Sequence, residues 1–84
     1  MVMPMDIAFS RTALKALRKS GKAALIMEKI DALAADPSSM AANAKKLTGR
    51  PESRLRVQDW RIIFRIEGGT LFIDDIGPRG TIYE

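Results

Sequence analysis

The stretch Arg54-Leu55-Arg56-Val57-Gln58-Asp59-Trp60-Arg61-Ile62-Ile63-Phe64-Arg65-Ile66 decides how this chain folds. Apolar and polar residues alternate on both sides of Gln58-Asp59, the pattern of two strands joined by a tight turn. A two-residue turn sets Val57 opposite Trp60, Arg56 opposite Arg61, Leu55 opposite Ile62 and Arg54 opposite Ile63. Residues paired in this way share a face of the sheet. One face collects Leu55, Val57, Trp60, Ile62, Phe64 and Ile66, and the other collects Arg54, Arg56, Arg61, Ile63 and Arg65. Like charges directly opposite each other are destabilising, so a hairpin chosen for stability alone would avoid Arg56 against Arg61. A bound anion is the simplest reason to keep that pair. The competing reading is an ordinary solvated sheet face.

Upstream, Met1 to Phe9 ends in a short alternation with Ile7 and Phe9 apolar, expected to be the strand that starts the sheet. Ser10 suits a helix N-cap. A first helix is expected over 11–20, with Ala13, Leu14 and Leu17 on one stripe, and Gly21 ends it. A second runs over 22–35, where Leu25, Ile26, Ile30, Leu33 and Ala34 recur at helical spacing. Asp36-Pro37 stops it, because the residue before proline disfavours the helical region. Residues 40–44 are expected to make a helical turn, and Gly49 and Pro51 mark a loop into the hairpin. Gly68-Gly69 signals a turn into a third strand over 70–76. Gly77-Pro78-Arg79-Gly80 is a further turn, and Thr81-Ile82-Tyr83 is short and extended. The whole chain, 1–84, reads as one α+β domain. It has an N-terminal strand, a helical hairpin, then an antiparallel β-meander of three to four strands. The helices cover the apolar face and leave the arginine face open.

A chain of 84 residues with 46% hydrophobic content makes one small domain with a real core. Without cysteine it has neither disulfides nor thiolate metal ligands, and without histidine it lacks the commonest acid–base at neutral pH. No metal and no cofactor are expected. No apolar run approaches a membrane span and the N-terminus lacks a signal-peptide core, so the expected location is the cytoplasm, with no membrane partner. Positive charge is concentrated around the hairpin. Lys45, Lys46, Arg50, Arg54, Arg56, Arg61 and Arg65 face only Glu52 and Asp59 within residues 41–66, whereas Arg79 stands against four acids after residue 66. Arginine's planar fork matches phosphate, so a phosphate-bearing partner is indicated.

Lys46-Leu47-Thr48-Gly49, then Arg54-Leu55-Arg56-Val57, Asp59 through Ile66, and Ile76-Gly77-Pro78-Arg79 with Tyr83 together resemble the RelE/ParE superfamily of bacterial toxins. The similarity spans nearly the whole chain; each motif is short, but their order and spacing are specific. The resemblance implies a RelE-like microbial ribonuclease-type fold and the toxin of a type II toxin–antitoxin pair. Its RelE branch looks like ribosome-dependent endoribonucleases that enter the A site, cleave messenger RNA and inhibit translation. Its ParE branch targets DNA gyrase and lacks the basic catalytic set. The RelE branch is the expectation here; a gyrase-inhibiting toxin and a non-catalytic RNA-binding relic are the alternatives. By resemblance, the basic pair of the first hairpin strand falls on Arg54 and Arg56, the arginine after the aromatic on Arg61, the turn arginine on Arg79, and the terminal tyrosine on Tyr83. The best-known members carry lysine at the first two positions. The implied partners are a cognate antitoxin, amphipathic and partly acidic, and the ribosome with its messenger.

RNA is cleaved when its own 2′-hydroxyl attacks the adjacent phosphate, which needs charge stabilisation, one proton taken and one given. Arginine stays protonated and serves as a clamp, not a base. Arg56 and Arg61 would hold the scissile phosphate, Arg79 would stabilise the phosphorane or leaving oxygen, and Arg54 would contact a flanking phosphate. Tyr83, the single tyrosine, is the candidate general base, since neighbouring arginines favour its phenolate. Lys45, Lys46, Arg50 and Arg65 add general attraction for RNA phosphates. Trp60 belongs to the core by alternation, and Asp74 and Asp75 should point to opposite faces, which argues against a metal site. At the centre of an open face, Arg61→Ala should change stability by no more than about 0.5 kcal/mol.

Overall fold

The computed structural model describes residues 5–40 and 42–78. In order it has β1 (Asp6–Phe9), α1 (Arg11–Lys19), α2 (Ala23–Ala35), a 3-10 turn (Pro37–Met40), β2 (Ala44–Lys46), β3 (Ser53–Val57), β4 (Trp60–Glu67) and β5 (Thr70–Pro78). The strands form one sheet in the order β1-β5-β4-β3-β2. Strands β2 to β5 run antiparallel, and β1 lies parallel to β5 from Asp6↔Thr70 to Phe9↔Ile73. The class is therefore α+β with a mixed sheet, and the expected meander is its larger part.

The helix ends fall within a residue of where the sequence places them. The Ser10 hydroxyl accepts from the Ala13 amide at 2.9 Å and donates to the Asp74 carbonyl at 2.7 Å. The cap of α1 is thereby fastened to β5. Gly21 takes φ 70° after α1, a conformation that costs glycine nothing. Ala13 and Leu17 of α1 close with Ile26, Ile30, Leu33 and Ala34 of α2 over Leu55, Val57, Ile62, Phe64, Leu71, Ile73 and Ile76. Each large side chain fully buried there contributes about 1.5–3 kcal/mol. Trp60 packs against this core half-buried. Ile66, expected on the same face, stays 44% exposed beside the Gly68-Gly69 turn.

Two features depart from the sequence-based expectation. The helical turn lies earlier, at Pro37–Met40, where Asp36 Oδ1 accepts from the Ser38 amide at 3.2 Å and its hydroxyl at 2.7 Å. Residues 44–46 instead form an edge strand on β3, with Ala44↔Leu55, Lys45↔Arg54 and Lys46↔Ser53. Asn43 starts that pairing: its carbonyl accepts from the Arg56 amide at 2.8 Å and its side-chain amide donates to the Arg56 carbonyl at 3.4 Å. The second feature is a β-bulge. Ile63 pairs with Asp75 and Phe64 with Ile73, so Asp74 is the extra residue of β5. The bulge shifts the phase of the strand, so that Leu71, Ile73 and Ile76 all reach the core. It also cancels the alternation, bringing Asp74 and Asp75 to the same face.

Candidate nucleic-acid interface

The hairpin register is the one the alternation requires: Arg54↔Ile63, Leu55↔Ile62, Arg56↔Arg61 and Val57↔Trp60. Gln58 opens the turn at φ 54°, in the left-handed region that a two-residue hairpin turn demands. Because β2 flanks β3, the face turned away from the helices carries two rows. One runs Lys45, Arg54, Ile63, Asp75, and the other runs Asn43, Arg56, Arg61, Gly77. A second like-charge pair, Lys45 opposite Arg54, thus stands beside Arg56 opposite Arg61. Lys45, Lys46, Leu47, Thr48 and Arg54 line a cleft of about 110 Å³.

This face is not uniformly open. Leu47 donates its amide to the Glu52 carbonyl at 3.1 Å and lies buried with Ile63 in a small apolar cluster. Arg61 is the one buried charged residue among those described, at 7% exposure. Its Nη1 donates to the carbonyls of Gln58 and Trp60, each at 3.2 Å. Arg61 is therefore pinned under the turn, not displayed at the centre of an open face, while Arg56 across from it is exposed. Alternation tells which face a side chain takes but not its depth. Here the turn carbonyls draw the guanidinium back, and Gly77 opposite offers no side chain to oppose it.

Among the described residues, Arg65 and Arg50 pair with carboxylates. Arg65 donates through Nε to Asp74 at 3.1 Å and through Nη1 to Glu67 at 2.7 Å, and its guanidinium stacks 4.2 Å from the Phe72 ring centre. Partial burial lowers its pKa, but Asp74 and Glu67 together outweigh this and leave it raised. Arg50 pairs with both carboxylate oxygens of Glu52, at 3.2 and 3.3 Å. The face is consequently polarised. It is cationic over β2, β3 and the turn end of β4, and acidic along the bulge of β5. Among the described residues no group of three or more histidine, cysteine, aspartate or glutamate side chains gathers to hold a metal, so the shared face of Asp74 and Asp75 lacks further ligands.

Exposed Lys45, Lys46 and Arg56 and half-buried Arg54 give a polyanion several adjacent contacts. Arg79 and Tyr83 lie outside the described residues. Thr48 in the cleft and Asn43 beside Arg56 escaped the sequence reading. Thr48 had a signal in its place within Lys46-Leu47-Thr48-Gly49, whereas nothing local marks Asn43, whose partner lies 13 residues on.

The family described as ParE toxin of type II toxin–antitoxin system, parDE, matches residues 7–83. The fold is similar to that of the archaeal RelE–RelB complex from Pyrococcus horikoshii OT3, with 23% identity, 95% of this chain and 100% of that chain covered, and a TM-score of 0.77. It is also similar to the chromosomal ParDE system of P. aeruginosa, with 18% identity, 89% and 96% covered, and a TM-score of 0.70. A mutant of E. coli toxin RelE in the free state shares 25% identity, with 90% and 84% covered and a TM-score of 0.68. No curated protein matches the chain by sequence.

Proposed function

The chain belongs to the ParE toxin family of type II toxin–antitoxin systems; within that frame we propose, from its cationic sheet face and not from the family match, that it is a metal-independent endoribonuclease that cleaves messenger RNA on the ribosome and so halts translation. One observation carries this reading: two in-register like-charge pairs, Lys45/Arg54 and Arg56/Arg61, lie side by side on the sheet face that the helices leave free. Such pairs cost stability and are relieved by a bound polyanion. Arg56 reaches for the scissile phosphate. Arg61, held beneath the hairpin by the turn carbonyls, adds a fixed positive charge behind Arg56, and a preorganised charge needs no reorganisation at the moment of reaction. Arg54, Lys45 and Lys46 take flanking phosphates. Arg79 and Tyr83 complete the set as leaving-oxygen stabiliser and base. Arg65 and Arg50, each balanced by carboxylates, serve the architecture instead.

The partner that restrains the toxin is an antitoxin whose acidic, amphipathic segment complements the cationic face, as RelB accompanies RelE in the P. horikoshii complex. The place of action is the cytoplasm, where ribosome and messenger meet. The family match to ParE favours a second reading, a gyrase-inhibiting toxin. Inducing the chain in cells and mapping messenger 5′ ends against the reading frame separates the two. Codon-phased cuts support the ribonuclease, and intact messengers with damaged or relaxed DNA support the gyrase reading.

A further inference from the structure

The helical layer carries a second cationic surface, on the side of the sheet away from Arg54 and Arg56. Between Asp6 and Glu28 the chain has no acid, yet it has Arg11, Lys15, Arg18, Lys19 and Lys22. Arg11, Lys15 and Arg18 recur at i, i+4 and i+7 along one side of α1, which buries Ala13 and Leu17 instead. All five cations are exposed. None forms an ion pair or side-chain hydrogen bond with another described residue. Arg18 and Lys19 in the last turn of α1 suit the helix dipole, but helix stability does not select Arg11 or the Arg11/Lys15 pair. Like charges at i, i+4 repel, and Arg11 occupies a first turn where the dipole favours acids and none is present.

We propose that this ridge docks the phosphate backbone of double-helical RNA, holding the protein on a structured RNA while the hairpin face handles a single strand. It rests on the ribonuclease reading only in taking RNA as the polyanion. A protein helix or peptide docks through apolar anchors at i, i+3, i+4 and i+7. The ridge offers only Leu14, 37% exposed. Single strands are gripped by stacking on aromatic rings, and residues 10–35 contain no aromatic side chain. A duplex backbone needs neither anchor nor ring. It is recognised by shape and phosphate contacts, and each phosphate neutralised by Lys or Arg releases counterions. Nine residues of α1 make a straight, rigid ridge of about 13 Å.

The test is fluorescence anisotropy of the full chain with an RNA duplex of about 20 base pairs and with one of its strands, across about 50–200 mM salt. The triple variant Arg11→Gln, Lys15→Gln, Arg18→Gln should lose about 2–3 from the slope of log K against log salt on the duplex, from three phosphate contacts at 0.7–0.9 each. Binding of the single strand should hardly change. Arg11→Lys with Arg18→Lys keeps the charges and should keep the slope. A triple variant with native circular dichroism and unchanged duplex slope overturns the proposal. So does a variant that loses the cognate antitoxin but keeps the duplex, and so does equal loss in the charge-keeping variant. The two readings fail separately. A ridge-dependent duplex slope without cleavage on ribosomes refutes only the ribonuclease, and cleavage with a duplex slope indifferent to the triple variant refutes only the ridge.

Discussion

Arg61→Ala asks whether the buried member of the Arg56/Arg61 pair is held in place or merely tolerated. Among the described residues, the substitution removes two hydrogen bonds from a charged donor, both at 3.2 Å. The carbonyl of exposed Gln58 regains water, so each bond is worth about 0.5–1.5 kcal/mol net. The stem of a side chain only 7% exposed also leaves two methylenes' worth of contact behind, at about 0.8 kcal/mol each. Relief of the repulsion with Arg56 returns roughly 0.2–1 kcal/mol. Loss outweighs relief, and stability should fall by about 2–4 kcal/mol. For a domain of this size about 1 kcal/mol moves Tm by 4–8 °C, so the midpoint should drop by roughly 8–30 °C. Arg56→Ala makes the same charge change at an exposed position and should leave stability equal or slightly higher, within about 0.5 kcal/mol. Melting curves of both variants check this contrast. Single-turnover cleavage on programmed ribosomes, run below both midpoints, should show each slowed by roughly a hundredfold. If Arg61→Ala melts with the parent, the buried-anchor reasoning is refuted. Full cleavage by the folded variant would instead remove Arg61 from the phosphate clamp.

Tyr83→Phe keeps the ring and deletes the hydroxyl, so it should slow single-turnover cleavage and flatten its pH dependence at an unchanged Tm; a full rate would require another base. Arg65→Ala breaks two partly exposed ion pairs and the Phe72 stack, and should lower the midpoint of denaturant melts slightly while cleavage of folded protein stays at the parental rate. Because Arg65's folded pKa is raised, its contribution is complete below arginine's ordinary strongly basic range and is lost only as pH rises past the folded value. Tm measured from neutral to mildly basic pH should therefore show no step from this cluster. Leu55→Ala, at a site with 0% exposure, should cost about 2–5 kcal/mol by denaturant titration and leave little folded protein at growth temperature.

The hairpin was fully legible because two constraints agree: period-two alternation on both arms and a turn too short to slip. The apolar face, the helical stripes and the Ser10 cap followed from the same local rules. Strand β2 was not legible, since Ala-Lys-Lys has no strand propensity and pairs only because β3 and Asn43 supply partners from a distance. The bulge left a trace in the spacing Leu71-x-Ile73-x-x-Ile76, one residue longer than strict alternation. Ring stacking and carboxylates around Arg65 depend on that bulge, so a basic residue that looked available in sequence is balanced in the fold. Arg61 lies buried against the turn carbonyls of Gln58 and Trp60, whose directions the alternation does not encode.

Both margins of the sheet are short, four residues in β1 and three in β2. A bare strand margin is a template on which another copy can add a strand, and lysine is one of the residues that discourages this. Lys45 and Lys46 fill two of the three positions of β2. The two lysines that line the cleft are thus also of the kind that discourages pairing of sheet margins. Neutralising them would alter colloidal behaviour along with ligand affinity, and precipitation could set in with folding free energy untouched.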